Sequence, residues 1–195
     1  MVLHSRIAPR REFSPRELAE MHTLRAKVFK DRLGWEVPVV AGMEIDGYDA
    51  LDPLYMLIRE PGADRLRGCW RLLPTEGPYM LKHSFPQLLH GQAAPAHSRI
   101  WELSRFAIET GGGAGYGFSD VALDSIADII RYGQHAGLER YVTVTTTAIE
   151  RLLRRAGVVT ARFGPPLAVG VETAVALSID IGATYQTLFA KRLAS

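Results

Sequence analysis

Residues 100–147, IWELSRFAIETGGGAGYGFSDVALDSIADIIRYGQHAGLERYVTVTTT, decide the fold. The run IWELSRFAIE at 100–109 and the β-branched run YVTVTTT at 141–147 are typical of strands. Between them, residues 119–137 have the apolar spacing of an amphipathic helix, with Ser119 as its N-cap and an end near Gly137. Two strands joined through a helix predict a parallel pair with a right-handed crossover.

The glycine-rich run GGGAGYG at 111–117 allows two interpretations. Glycine backbone before a helix can wrap a phosphate or another anion. The run lacks the GK[ST] ending of a P-loop, however, and fits GxGxxG only loosely. We therefore interpret it as a flexible connector between strand and helix, placed where it can approach a substrate.

The elements on either side of this stretch complete a mixed α/β pattern. Before it, the sequence predicts a helix from the Ser14–Glu17 capping box to near Gly34, a long loop over 34–53, hairpin strands at 54–60 and 69–75 around a turn with Gly62 and Asp64, and a loop with one short helix over 76–99. After it come a helix at 148–157, two short strands within 158–180 and a final helix at 183–194. The order predicts one domain over residues 1–195 with a central sheet.

Composition excludes several classes of protein. The chain has 195 residues, 47% of them hydrophobic, and a net charge of +2, so the whole molecule exerts little attraction on nucleic acid. No run approaches the roughly 20 apolar residues of a membrane span, and the N-terminus lacks the apolar core of a signal peptide. The single cysteine, Cys69, cannot form an internal disulfide, which favours a cytoplasmic location and excludes a cysteine-based metal site.

Charged residues in apolar surroundings indicate a polar pocket, because buried charge is unfavourable unless it is paired or bound to a ligand. The residues concerned are Arg25, Asp46, Asp49, Asp52, Arg71, Glu102 and Arg105, with Phe29 and Trp35 nearby. The six histidines show no pairing and are assigned to the surface or to packing.

The three aspartates at 46, 49 and 52 leave three alternatives open. They could bind a hard cation, but no calcium-loop spacing completes such a site, so we expect no metal. They could cap turns. The favoured alternative is that they hold a cationic substrate or fix arginines in place. For Glu102 and Arg105, three apart in one strand and so expected on opposite faces, an internal salt-bridge network is equally compatible.

At these positions the sequence resembles the LuxI-type acyl-homoserine-lactone synthases, the bacterial autoinducer synthases. The resemblance runs from about Arg25 to Gly157 and includes the strings GCWRLLPT and WELSRFAI. The matching residues are Arg25, Phe29, Trp35, Asp46, Asp49, Arg71, Glu102 and Arg105.

The resemblance implies a fold like the GNAT N-acyltransferases, in which a twisted central sheet flanked by helices opens into a V-shaped cleft. It also implies a reaction. An acyl group passes from an acyl carrier protein thioester, or from acyl-coenzyme A, to the α-amine of S-adenosylmethionine. The methionine carboxylate then closes the lactone and expels 5′-methylthioadenosine. S-adenosylmethionine is a substrate here, and no cofactor is implied.

The resemblance also implies roles for individual residues. S-adenosylmethionine would be bound by Arg25, Phe29, Trp35, Asp46, Asp49 and Arg105. Catalysis would use Glu102 as the first candidate for the base, Asp46 as the second, and Arg71 at the tetrahedral oxyanion. The acyl chain would lie along Thr143 and Thr145, and Arg151 and Arg155 would dock the carrier protein. The alternatives are a GNAT-like enzyme acting on another amine and a non-catalytic module that binds acyl carrier protein.

Overall fold

A computed structural model describes residues 4–60, 62, 65–109 and 119–189. Its strands are β1 (His4–Pro9), β2 (Val39–Val40), β3 (Met43–Glu44), β4 (Leu54–Arg59), β5 (Leu66–Pro74), β6 (Ile100–Ile108), β7 (Arg140–Thr146), β8 (Thr160–Arg162), β9 (Leu167–Val169) and β10 (Glu172–Asp180). Its α-helices are α1 (Pro15–Ala26), α2 (Met80–His83), α3 (Asp120–His135), α4 (Thr147–Arg155) and α5 (Ile181–Phe189). This is the mixed α/β composition that the sequence predicts, with mostly antiparallel strand pairing.

The described residues form two compact units. Unit 1 contains those up to residue 72 together with those in 105–125. Unit 2 contains 73–104 and the described residues from 126 onward. The glycine-rich run at 111–117, Asp64 and the end of the predicted final helix lie outside the described residues.

Unit 1 is built on antiparallel strands and one helix. β1 pairs with β4, and β4 pairs with β5 as the predicted hairpin. α1 begins with the predicted capping box, in which Ser14 and Glu17 each accept from the other's backbone N–H. One face of α1 packs on β4 and β5 in a core whose buried members include Phe13, Met21, Leu24, Val28, Phe29, Tyr55 and Leu57.

The structure departs from prediction in two segments of unit 1. β1 was not predicted, because the positions of His4–Pro9 are exposed or half-buried apart from the buried Ala8, and the segment carries no strong apolar signal. The segment 34–53 was predicted as a loop, but it contains the two-residue strands β2 and β3, which pair with each other, and a 3₁₀ helix at Gly47–Leu51. Strands this short have too few residues to show a period in the sequence.

Unit 2 confirms the parallel arrangement at the centre of the prediction. Ile100, Trp101 and Glu102 pair in parallel with residues 140–142 of β7, which continues to Thr146. β7 also pairs antiparallel with β10, and β8 and β9 pair with different parts of β10. The prediction of two short strands within 158–180 was wrong, because the structure has three strands and β10 is nine residues long.

In the described part of the chain, no helix is long and apolar enough to cross a membrane.

Candidate functional site

A fully buried arginine, Arg25, lies in the last turn of α1. Its Nη1 and Nη2 donate to the two carboxylate oxygens of Asp49 at 2.8 and 3.0 Å. Its Nε donates to Glu44 Oε2 at 2.5 Å. A buried guanidinium needs such partners to offset the loss of its hydration, so the position of α1 depends on both acids.

The spacing of Asp46 and Asp49 is explained by a capping box on the 3₁₀ helix. Asp46 Oδ1 accepts from the backbone N–H of Tyr48 at 2.9 Å, and Asp49 Oδ2 accepts from the backbone N–H of Asp46 at 2.8 Å. These local hydrogen bonds orient both carboxylates relative to the backbone of the 3₁₀ helix. The three-residue spacing therefore aims two acids in a defined way toward the arginines.

Two further arginines complete the cluster. Arg71, on β5, is fully buried and donates to both oxygens of Asp46 at 2.5 and 3.0 Å and to Asp49 at 2.9 Å. Arg105, on β6, places Nη2 at 2.7 Å from Asp46 and 2.9 Å from Glu44. Three arginines and three carboxylates thus form a charge-balanced cluster, called here the arginine–carboxylate network.

The contacts of Asp49 and Arg25 shift the pKa of each group toward its charged form. Burial by itself would raise the pKa of Asp49, but the hydrogen bonds and charges of Arg25 and Arg71 outweigh burial and hold that pKa well below its usual range. Burial would lower the pKa of Arg25, but Asp49 and Glu44 outweigh it and raise that pKa. Each charge therefore depends on its partners, and removing one leaves an uncompensated buried charge.

Arg105 adopts backbone geometry that is unusual for its residue type. Its φ of +55° lies in the left-handed region, which costs a non-glycine residue about 1–2 kcal/mol. The expectation that Glu102 and Arg105 point to opposite faces assumed regular strand geometry between them. The positive φ of Arg105 interrupts that geometry. Burial lowers the pKa of Arg105 despite the nearby carboxylates of Glu44 and Asp46. Strain held in place at a buried charge is typical of a functional position.

Aromatic rings lie against the network. Phe29, in a π-helical turn at Lys27–Arg32 that continues α1, stacks on Trp35 with a centroid distance of 5.3 Å and an interplanar angle of 6°. The Arg105 guanidinium lies 5.5 Å from the centroid of the Phe29 ring. π-helical turns occur often at functional sites, and here the turn places an aromatic face beside a cation.

The metal alternative for the three aspartates does not fit the contacts. Asp46 and Asp49 are bound by arginines, and Asp52 forms an ion pair with the exposed Arg11. Among the residues that the structure describes, no group of three or more His, Cys, Asp or Glu side chains is arranged to hold a metal ion. The geometry supports two of the expected roles, because Asp46 and Asp49 cap the 3₁₀ helix and both hold arginines in place.

Glu102 lies in unit 2, in a different setting. Its two carboxylate oxygens accept from the backbone N–H groups of Met80 at 2.9 Å and Leu81 at 2.7 Å, at the start of α2. The side chain is buried, and these bonds satisfy N–H groups that a helix start leaves without intrahelical partners. Glu102 therefore holds α2 in place, and its predicted role as the base stays a prediction.

The remaining predicted residues also lie in unit 2. Thr143 is buried and Thr145 half-buried on β7, where they lie opposite Leu177 and Val175 of β10. Their alternation puts both threonines on one face of the strand, as predicted.

Arg151 and Arg155 are exposed on α4. A buried acid on the same helix, Glu150, binds Arg154 at 3.1 Å and Arg162 at 2.5 and 2.8 Å. α4 is therefore anchored to β8 by Glu150, and the surface it presents is strongly basic.

Sequence reasoning missed three residues of the site, which are Glu44, His22 and Tyr55. Glu44 bridges Arg25 and Arg105, and its backbone carbonyl lies 2.8 Å from Nδ1 of the buried His22. Tyr55 donates to Asp49 Oδ1 at 2.6 Å. Glu44 lies two residues before Asp46 in the acidic run EIDGYD, and that proximity is the one signal available for it.

Known proteins resemble this chain over most of its length. A family model described as autoinducer synthase matches residues 10–187. An acyl-homoserine-lactone synthase of Pseudomonas aeruginosa is 52% identical over 181 residues, which cover 92% of this chain and 90% of that protein. A second such synthase, from Vibrio anguillarum, is 39% identical over 84% of this chain and 86% of its own.

Solved structures of known proteins are also similar to this chain. The crystal structure of the acyl-homoserine-lactone synthase LasI matches with a TM-score of 0.88 and 50% identity, covering 97% of this chain and 95% of that one. BjaI, a CoA-dependent acyl-homoserine-lactone synthase solved with SAM and isopentyl-CoA, matches with a TM-score of 0.83 and 27% identity, covering 97% and 88%. An N-acetyltransferase of Lactobacillus plantarum at 12% identity and a TM-score of 0.62, covering 93% and 99%, shares the fold.

Proposed function

The chain belongs to the autoinducer synthase family, and from that premise we infer that it is an acyltransferase that makes an acyl-homoserine lactone, a quorum-sensing signal. The observation that carries the inference is the arginine–carboxylate network with its aromatic pair. This cluster in unit 1 contains seven of the eight residues on which the family resemblance rests, namely Arg25, Phe29, Trp35, Asp46, Asp49, Arg71 and Arg105. We propose that residues 1–195 act as a single domain.

The network is suited to a zwitterionic, cationic substrate such as S-adenosylmethionine. Asp46 and Arg105, at 11% and 10% side-chain exposure, are its most accessible members, whereas the other four are at most 3% exposed. We propose that Arg105 pairs with the substrate carboxylate and Asp46 with its ammonium group. Phe29 and Trp35 supply a π surface for the sulfonium or the adenine.

The four least exposed members, Arg25, Glu44, Asp49 and Arg71, are not proposed to contact the substrate. They act by positioning Asp46 and Arg105. Arg25 is held by Asp49 and Glu44 and cannot reach solvent in this arrangement. The bidentate contact of Arg71 with Asp46 supports a bracing role for Arg71, since both of its Nη atoms already donate to carboxylates. Its direct contact with the oxyanion, implied by the resemblance, remains a prediction.

The reaction has two balanced steps. The neutral α-amine attacks the thioester carbonyl, the C–S bond breaks, and the thiolate leaves with the proton that the amine gives up. The carboxylate oxygen then attacks Cγ of the methionine moiety, and the Cγ–S bond breaks so that the sulfonium leaves as neutral 5′-methylthioadenosine. Before the attack on the thioester, a base must take one proton from the α-ammonium group and leave the amine neutral, and Glu102 is our first candidate and Asp46 our second.

The acyl thioester is proposed to bind in unit 2. The hydroxyls of Thr143 and Thr145 can donate to a 3-oxo group on the acyl chain. The exposed Arg151 and Arg155 on α4 suit the acidic surface of an acyl carrier protein or the phosphates of coenzyme A. We also propose a cytoplasmic location, because Cys69 is a buried free thiol, which suits a reducing compartment. S-adenosylmethionine is consumed as a substrate, and the proposed chemistry needs no cofactor.

The test is a reaction of the purified chain with S-adenosylmethionine and a mixed pool of acyl carrier protein and coenzyme A thioesters, followed by mass spectrometry. We expect an acyl-homoserine lactone together with methylthioadenosine. An N-acylated product without methylthioadenosine would instead identify an acyltransferase acting on another amine. Binding of acyl carrier protein without any product would identify a non-catalytic module.

A further inference from the structure

We propose that Tyr55 is a positioning residue for S-adenosylmethionine binding, because its hydroxyl fixes the Asp49 oxygen that Arg25 and Arg71 share. The proposal rests on the proposed function and adds a residue outside the set that the family resemblance supplies. Tyr55 acts through Asp49 and is not itself placed against the substrate.

The Oδ1 atom of Asp49 accepts three side-chain hydrogen bonds. It accepts from Tyr55 Oη at 2.6 Å, from Arg25 Nη1 at 2.8 Å and from Arg71 Nη1 at 2.9 Å. The second oxygen accepts from Arg25 Nη2 at 3.0 Å and from the backbone N–H of Asp46 at 2.8 Å. Five donors therefore hold one carboxylate. Three are arginine nitrogens, one is a backbone N–H, and the fifth is the neutral hydroxyl of Tyr55.

The phenol is held rigidly by its surroundings. Tyr55 is 0% exposed, and on β4 it lies directly opposite Arg71 of β5. Its ring packs against Phe13 at a centroid distance of 6.5 Å and edge-on against His22 at 6.3 Å. The strand register and the core contacts thus fix the position of the Tyr55 hydroxyl. The hydrogen bond from this hydroxyl helps to fix the position of the Asp49 carboxylate.

The hydroxyl is a permanent donor. Burial and the adjacent negative charge of Asp49 raise the pKa of Tyr55 well above its usual range, so the group stays protonated at any working pH. Arg25 and Arg71 both donate to Oδ1 of Asp49, so any rotation of this carboxylate would shift the two guanidinium groups together. A third donor in a fixed position removes that freedom and defines where Arg71, and through it Asp46, can lie.

The test is Tyr55→Phe, with Tyr79→Phe as the matched control. Tyr79 is also 0% exposed and donates to a carbonyl oxygen, that of Pro95, at 2.6 Å, in unit 2. Each variant loses one tyrosine hydrogen bond of the same length, to a carboxylate for Tyr55 and to a neutral carbonyl for Tyr79. Because hydrogen bonds to charged groups are stronger, we expect Tyr55→Phe to lose more stability. Only Tyr55→Phe should raise KM for S-adenosylmethionine, by about tenfold, with KM for the acyl thioester unchanged and kcat within about threefold.

Equal kinetic effects of the two substitutions, or a loss of kcat without a change in KM for S-adenosylmethionine, would overturn the proposal. If Tyr55→Phe does not fold, 3-fluorotyrosine incorporated at position 55 alone alters the donor while retaining the ring and the hydroxyl. KM for S-adenosylmethionine should then shift relative to the same replacement at position 79, and no shift would overturn the proposal.

The wild-type chain separates this proposal from the proposed function. If it makes no acyl-homoserine lactone, the proposed function fails, and calorimetric binding of S-adenosylmethionine replaces KM as the readout. Weaker binding by Tyr55→Phe than by Tyr79→Phe would still support the positioning role. Absence of binding by the wild-type chain would overturn both.

Discussion

Glu44→Gln tests whether the network is a set of mutually dependent charges. Glu44 is 0% exposed and holds Arg25 Nε at 2.5 Å and Arg105 Nη2 at 2.9 Å. The substitution keeps the size of the side chain but leaves three arginines, two of them fully buried, facing two carboxylates. Removing one partner of a buried ion pair costs about 3–5 kcal/mol, and glutamine retains a neutral acceptor, so we expect about 3 kcal/mol.

The assay is denaturant and thermal unfolding of the whole chain. For a protein of this size, about 3 kcal/mol corresponds to a decrease in Tm of about 6–12 °C. The control is Glu20→Gln, because Glu20 also contacts two arginines, Arg16 and Arg59, each at 3.0 Å, but is 31% exposed. Exposed pairs contribute less than about 1 kcal/mol. If Glu44→Gln is no more destabilising than Glu20→Gln, the idea that the buried charges depend on one another is wrong.

Three further predictions concern pH, the proposed base and docking. Burial, reinforced by the charge of Arg25, lowers the pKa of His22, so below about pH 6.5 the unfolded chain binds a proton that the folded chain does not. The free energy of unfolding should therefore fall as pH falls from 7 to 5. In urea titrations, it should fall less over this range for His22→Gln than for the wild-type chain, and an equal fall in both would refute the prediction. Glu102→Gln should lower kcat at least about 100-fold with S-adenosylmethionine binding retained if Glu102 is the base; a lowered unfolding midpoint with kcat retained would leave it only the role of holding α2. Charge reversal of Arg151 and Arg155 together should raise KM for the acyl carrier protein thioester at least about tenfold in steady-state assays, and an equal rise on reversing the exposed Arg10 would contradict a docking role.

Local signals in the sequence predicted most of the fold. The capping box at Ser14 and the β4–β5 hairpin are specified by residues close together in the chain, and the parallel crossover by two strand patterns with a helical pattern between them; all three are confirmed. β1 was missed because it carries no strong apolar signal, and the full length of β10 because its centre is buried at consecutive positions without the alternation of a half-buried strand. The family was predicted from its motif residues, and the match to the autoinducer synthase model over residues 10–187 confirms it.

The candidate site was predictable in its members but not in its connections. The residue types at positions 25, 46, 49, 71 and 105 indicated a polar cluster, and the structure brings all five together. Which acid binds which arginine depends on distances across 22 to 59 residues of chain, and a sequence does not encode those distances locally. The same reason explains why Glu102, equally acidic and equally buried, holds α2 in unit 2 instead.

A crystal structure of this chain with S-adenosylmethionine bound would show whether the arginine–carboxylate network is the S-adenosylmethionine site that we propose. We expect the substrate carboxylate within hydrogen-bond distance of Arg105, its ammonium near Asp46, and its sulfonium or adenine against Phe29 and Trp35. A molecule of S-adenosylmethionine bound elsewhere, with none of these residues in contact, would contradict it.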